Sequence, residues 1–222
     1  MSFPALTPAE VRAAVDKLPR AKLAAFRDAA IRIVSEFYPS GTAGDDYTSI
    51  VSDHHMQRLL GWLREAAAGG ARVDRIGTDD MRARKLAPTL LSNVTLDMHV
   101  MQEEIFGPLL PLVPYDSLDE ALQLVASRPR PLAMYYFDDD ASRVDGVLAT
   151  ILAGGVTVND TLFHVAQDAL PFGGVGASGM GSYHGIHGFN TFTKQKCSFS
   201  PASTPDRCCR HRLVVGSSGC CG

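Results

Sequence analysis

The chain has 222 residues, 45% of them hydrophobic and 20% charged, with a formal net charge of −3. This length suits one large or two small domains with a buried core, and the balance is that of a soluble globular protein. The slight negative charge, with no cluster of Lys and Arg among aromatics, argues against nucleic-acid binding, and no run of ~18 uncharged apolar residues marks a membrane span.

The N-terminus, "MSFPALTPAEVRAAVDK", lacks a basic region followed by an apolar core, so a cytoplasmic location is expected. "TPAEVRAAVDKL" opens as a helix, with Thr7 as cap, Pro8 at the first helical position and Glu10 closing a capping box. A second helix is predicted from about Ala21, where Leu23, Phe26, Ala30, Ile33, Val34 and Phe37 recur at helical spacing. "YPSGTAGDD" breaks it, and "SDHHMQRLLGWLREAAAGG" is a third helix, capped by Ser52 and stopped by Gly69 and Gly70.

Short apolar runs follow in "KLAPTLLSNV" and "LLPLVPY", and Ser117 with Glu120 boxes the start of "SLDEALQLVASR". "PLAMYYF" reads as a buried strand, "DDDASRVDGVLATILAGG" as a helix with acids at its positive end, and "GVTVN" as a further β-branched strand. Strands alternating with helices predict an α/β fold: an open, mostly parallel sheet with flanking helices.

Within "PFGGVGASGMGSYHGIHGF", Gly174, Gly176 and Gly179 spell G-x-G-x-x-G. A dinucleotide-binding turn must leave a strand, open a helix and meet an acidic residue about 20 positions later. Here Asp168 and Pro171 precede the loop, "MGSYHGIHGF" is too glycine-rich to begin a helix, and the next carboxylate is Asp206. A hydrolase elbow on Ser178 would need glycine where Met180 stands. The residues themselves favour a packed loop whose glycines allow positive φ and close backbone approach.

All five cysteines, Cys197, Cys208, Cys209, Cys220 and Cys221, lie at the C-terminal end. With His211 the last four could offer metal ligands, but vicinal cysteines seldom converge on one ion, so exposed thiols are the expectation. His54 and His55 are helical neighbours facing different ways. His184 and His187 would pair only on a helix, which "SYHGIHGF" does not suggest. Glu103 and Glu104, adjacent on an extended segment, point to opposite sides and by themselves read as solvated charges.

Three stretches in order, "MQEEIFGPLLPLVPYDSLDEAL" at 101–122, "GGVTVND" at 154–160 and "LPFGGVGASGMGSYHG" at 170–185, together resemble the aldehyde dehydrogenase superfamily. The last is similar to its class 3 branch, of the coniferyl aldehyde dehydrogenase type, and the likeness runs from about Leu18 to Lys196. The resemblance implies part of a catalytic domain of that fold, from the C-terminal part of such an enzyme, without its Rossmann-like cofactor domain. It implies NAD(P)-dependent oxidation of an aldehyde, aromatic in the coniferyl type, to an acid through a cysteine thioester.

By the same resemblance Glu104 meets the nicotinamide-side ribose, Phe106 lies beside the nicotinamide, and Phe172 lines the aldehyde entrance. The family's nucleophile motif has no counterpart, since residues 1–196 contain no cysteine, and Cys197 follows a strand leading away from the site. No catalytic residue and no metal ligand is therefore assigned. The expected organisation is an unrelated helix at 1–17, a partial catalytic domain at 18–185, an oligomerisation-type strand at 186–196 and an irregular Cys-rich tail at 197–222. Such a chain is expected to be inactive alone, to bind NAD or NADP very weakly, and to expose apolar surface. An alternative is a non-catalytic subunit that forms a homo-oligomer or pairs with an intact homologue.

Overall fold

The computed structural model describes residues 22–194 and 196. The helix expected around Thr7 and the Cys-rich tail lie outside these residues. Described residues divide into two units, one ending at Gln123 and the other beginning at Leu124.

The first unit begins with α1 (Leu23–Phe37), a 3-10 turn (Gly41–Ala43) and α2 (Asp53–Ala68). The Ser52 side chain caps α2 by accepting from the His55 amide at 3.2 Å, as its sequence position predicts. Met56, Leu59, Leu63 and Ala66 recur every three or four residues and are all buried, so one stripe of α2 builds the core. Ile50, Ala71, Leu86, Leu91, Met98, Val100 and Leu109 complete that core.

β1 (Arg72–Arg75), β2 (Thr89–Ser92) and β3 (Leu109–Pro111) form a three-stranded sheet in that order. β2 runs antiparallel to β1, with Val73 opposite Leu91, and parallel to β3, with Leu90 opposite Leu110. All four residues of β2 are buried, which is why "TLLS" has no polar alternation. α3 (His99–Gln102) is one short turn of helix between β2 and β3. α4 (Leu118–Ala126) starts with the expected Ser117 cap: its Oγ accepts from the Glu120 amide, while the Glu120 carboxylate accepts from the Asp116 amide.

The second unit contains β4 (Ala133–Tyr136), α5 (Ala141–Thr150), β5 (Gly155–Val158) and α6 (Gly185–Phe192). β4 and β5 pair in parallel as their own two-stranded sheet, joined by the crossover helix α5. Asp140 caps α5 by accepting from the Ser142 and Arg143 amides, and Val147 is its buried anchor. The expected parallel pairs are thus present, distributed over two small sheets.

The expected strand at 186–196 is corrected: Gly185–Phe192 is helical. Glycine lowers helix propensity by about 1 kcal/mol per residue, and hydrogen bonds to the segment just before the helix help offset that. The Gly188 amide donates to the His184 carbonyl at 3.0 Å, and the Thr191 hydroxyl donates to the Ser182 carbonyl at 2.8 Å, fastening the helix to the preceding segment. Ile186, Phe189 and Phe192 on α6 are exposed, as are Leu162, Phe163 and Met180 in the same unit.

Candidate functional site

Beside the buried stripe of α2 runs a second one, a residue earlier at each step: His55, Arg58, Trp62 and Glu65. Bordering the core, these side chains grip α3 and the "EEIFGP" loop. The Glu65 carboxylate accepts from His99 Nδ1 at 2.7 Å, and the His99 ring stacks on Trp62 with centroids 6.1 Å apart and 17° between planes. The Arg58 guanidinium lies over the same indole, 4.1 Å from its centroid. From there Nη1 donates to the Glu104 carbonyl at 2.9 Å and Nη2 to the Ile105 carbonyl at 2.6 Å.

His55 Nε2 lies 3.1 Å from Arg58 Nη2. A guanidinium only donates, so Nε2 is the acceptor in this contact. The His55 ring meets Phe106 in an edge contact at 5.9 Å. Phe106 takes a left-handed backbone, φ +48°, and is 68% exposed. Gly107 packs directly on α2: a Cβ there would sit 2.5 Å from Leu59 Cδ1.

Glu104 and Phe106, the expected cofactor contacts, therefore leave one loop whose main chain α2 holds and whose side chains are exposed. Glu103 has extended backbone, φ −117° and ψ 154°, in keeping with its carboxylate and that of Glu104 not acting as a pair.

Phe172, the expected entrance residue, belongs to the second unit. It exchanges main-chain hydrogen bonds of 3.0 and 2.8 Å with Tyr183. Its half-buried ring stacks against His164 (6.0 Å, 22°) and against His184 (5.8 Å, 29°), with Tyr183 edge-on at 5.3 Å. His164 is in turn anchored on β5, its Nδ1 2.8 Å from the Thr157 hydroxyl. Neither imidazole was singled out beside Phe172 by sequence, because the contacts join residues 8 and 12 positions away through folded loops. His184 Nδ1 is buried without a hydrogen-bond partner. Among the described residues no three His, Cys, Asp or Glu side chains converge as a metal cage.

The glycine loop is packed rather than open. A Cβ on Gly173 would run into the Gly181 carbonyl, and one on Gly174 into the main chain of Ser178 and Gly179. The Val175 amide already donates to Ser178 Oγ at 2.9 Å, and the Gly179 amide to the Gly176 carbonyl at 3.3 Å. No helix opens at Gly179; the next begins at Gly185. Two of its amides are thus committed within the loop itself, and no helix N-terminus follows to receive a phosphate.

At the carboxyl ends of β4 and β5 the two following loops are locked together. The Asp138 amide donates to Asn159 Oδ1 at 2.9 Å, and Asn159 Nδ2 donates back to the Asp138 carbonyl at 3.0 Å. The Asp138 carboxylate accepts from Arg143 Nη2 and Nε at 2.6 and 2.7 Å, from the Tyr136 hydroxyl and from the Asp140 amide. The Arg143 fork, followed by the amide and phenol, holds this carboxyl well below the usual carboxylate range against the opposing effect of burial.

A depressed folded-state pKa adds stability that is present above the unfolded value of about 4 and lost as pH falls through the lower folded one. Asp138→Asn is therefore expected to lower the melting temperature by a few degrees at pH 7, with the gap to wild type closing progressively below about pH 4. A gap that stays constant from pH 7 to pH 2 in thermal melts would count against this lock.

The first unit also has an open hollow of about 340 Å³ between the end of α1 and the β1–β2 connection, lined by Tyr38, Thr42, Tyr47, Thr78 and Pro88. Tyr47 donates to the Leu86 carbonyl at 2.6 Å, and burial, aided by Tyr38 and Asp79, pushes its phenol up to about 12. None of Glu104, Phe106 or Phe172 lines this hollow.

Comparison with known proteins bears on these loops. The chain is 51% identical over 168 residues to a protein of Pseudomonas aeruginosa named "Probable coniferyl aldehyde dehydrogenase", covering 76% of this chain and 35% of that one. Among solved structures, the substrate-bound state of Staphylococcus aureus AldH superposes with a TM-score of 0.75 at 40% identity, covering 85% of this chain and 41% of that one. A P. syringae indole-3-acetaldehyde dehydrogenase in complex with NAD+ superposes with a TM-score of 0.60 at 28% identity, covering 66% of this chain and 30% of that one. The chain thus spans about a third of the length of the P. aeruginosa relative. The model of the aldehyde dehydrogenase family matches residues 24–198, a stretch that holds the "EEIFGP" loop, the β4–β5 pair and the packed glycine loop, and the chain belongs to that family.

Proposed function

We propose that this chain carries the nicotinamide-ribose and aldehyde-entrance segments of an NAD(P)-dependent aldehyde dehydrogenase acting on aromatic, coniferyl-type aldehydes. The observation that carries the reading is the loop of Glu104 and Phe106: an exposed carboxylate suited to ribose hydroxyls and an outward aromatic ring suited to a flat nicotinamide leave one main chain held by α2. The NAD+ complex of the P. syringae relative and the name of the P. aeruginosa relative support the choice of cofactor and substrate class. When bound, the dinucleotide accepts the hydride. This chain's own residues orient it through Glu104 and Phe106, and Phe172, in contact with two imidazoles, shapes the aldehyde's entry.

The thioester chemistry needs a thiol, and residues 1–196 have none, so the chain alone is proposed to be inactive. A carboxylate on ribose supplies about 1.5–3 kcal/mol. Immobilising a free dinucleotide costs at least about 4 kcal/mol, so the isolated chain is expected to bind NAD no tighter than millimolar. Glu104→Gln should leave that weak binding unchanged. Introduced at the matching position of a full-length relative, the same nearly isosteric change should slow turnover by about ten- to a hundredfold through misplaced nicotinamide, with the fold intact. Calorimetry on the chain and steady-state kinetics on the relative decide it: micromolar NAD binding by the chain, or undiminished turnover in the relative, would overturn the role of Glu104.

A second reading is favoured by the exposed Ile186, Phe189 and Phe192 of α6: a subunit that pairs with an intact homologue. Co-purification with a full-length dehydrogenase that is lost on replacing Phe189 and Phe192 by serine would support it over the first.

A further inference from the structure

Two successive carbonyls, those of Glu104 and Ile105, accept from one guanidinium. In extended chain, successive carbonyls point to opposite sides, so this shared donor is incompatible with a continuing strand. The chain turns, and the next residue, Phe106, sits at φ +48°, a conformation rare for a side chain branching into an aromatic ring. Arg58 is suited to hold such a turn. Its planar fork matches two acceptors at once, and the Trp62 indole beneath it and His55 beside it, both on its own helix, orient it.

We propose that Arg58, seated on Trp62, is the positioning residue for Glu104 and Phe106: it holds the two carbonyls from whose main chain the cofactor-facing side chains project. The inference rests on the reading of these two residues as cofactor-facing. Nothing in it depends on the identity of the Glu104 side chain, because both hydrogen bonds are made to backbone oxygen.

Lysine offers a single ammonium and cannot reproduce the fork, so Arg58→Lys is expected to fail as a conservative replacement, much as Arg58→Met does. In the full chain, amide order parameters of Glu104, Ile105 and Phe106 should be near about 0.85 in wild type and below about 0.6 in both variants. Wild type should also show resolved, slowly exchanging Arg58 Nη protons. Trp62, the only tryptophan, gives a second signature: its emission should shift in both variants as the cation leaves the indole face.

The control is Leu63→Ala, which removes a core side chain five residues along α2. It should lower the melting temperature more than Arg58→Lys yet leave the loop ordered. Unchanged loop order in Arg58→Lys and Arg58→Met would overturn the proposal, and so would equal loosening in Leu63→Ala, which would mean that the loop follows core stability alone. Cofactor binding is not among these readouts. A loosened loop here with undiminished turnover for Glu104→Gln in the full-length relative would therefore uphold Arg58 and sink the cofactor reading, and the converse pair would do the reverse.

Discussion

Gly173→Ala is expected to dismantle the segment from Pro171 to His184, at a cost at or above the ~1–3 kcal/mol usual for overpacking. The added Cβ would collide with the Gly181 carbonyl and lie 2.9 Å from Ser182 Cα. These are backbone atoms, which cannot rotate away as the end of a long side chain can. Relief requires the strands of the loop to part, and the adjacent Phe172–Tyr183 pair of hydrogen bonds would go with them. Phe172 would then lose its ring contacts with His164 and His184. Gly176→Ala is the comparison. Gly176 has φ +64° but no atom within 4 Å of a Cβ, so only the left-handed strain of about 1–2 kcal/mol applies. Thermal melts and the ring signals of Phe172 and Tyr183 separate the two. Equal destabilisation would show that backbone conformation, and not close approach, explains the glycines of this loop.

Leu59→Ala should cost about 3–5 kcal/mol, in the range for emptying a fully buried leucine site. Leu59 is 0% exposed, at the middle of the buried stripe of α2. Its consequence reaches the candidate site, because Leu59 is also the surface on which Gly107 rests. Gly107→Ala alone should be destabilising, since the new methyl meets Leu59 Cδ1. In the Leu59→Ala background the same methyl enters vacated space, and Gly107 is not held at a positive φ that alanine would resist. The pair should therefore be less damaging than the sum of the single changes, with a coupling of about 1 kcal/mol or more. Additive losses in chemical denaturation would show that α2 and the "EEIFGP" loop do not share this contact.

What was legible in the residues is what short range decides. Ser52, Asp140 and Ser117 with Glu120 announce helix starts, since a cap and the amides it satisfies lie within three residues of each other. The β-branched run of β5 and the apolar run of β2 announce strands, half-buried in β5 and fully buried in β2. The order of three motifs was enough to identify the family.

The rest was decided by contacts the chain makes with distant parts of itself. β1, "RVDR", has no apolar run and is a strand because β2 offers it a partner, residue for residue. The candidate site depends most on such contacts. Arg58 reaches carbonyls 46 and 47 residues away, and no local pattern on α2 distinguishes a guanidinium that meets water from one that shapes a loop. Local free energies of capping and propensity, each near 1 kcal/mol, are read from neighbours in sequence. The positions of Glu104, Phe106 and Phe172 depend on burial and hydrogen bonds between segments, which exist only once the chain has folded.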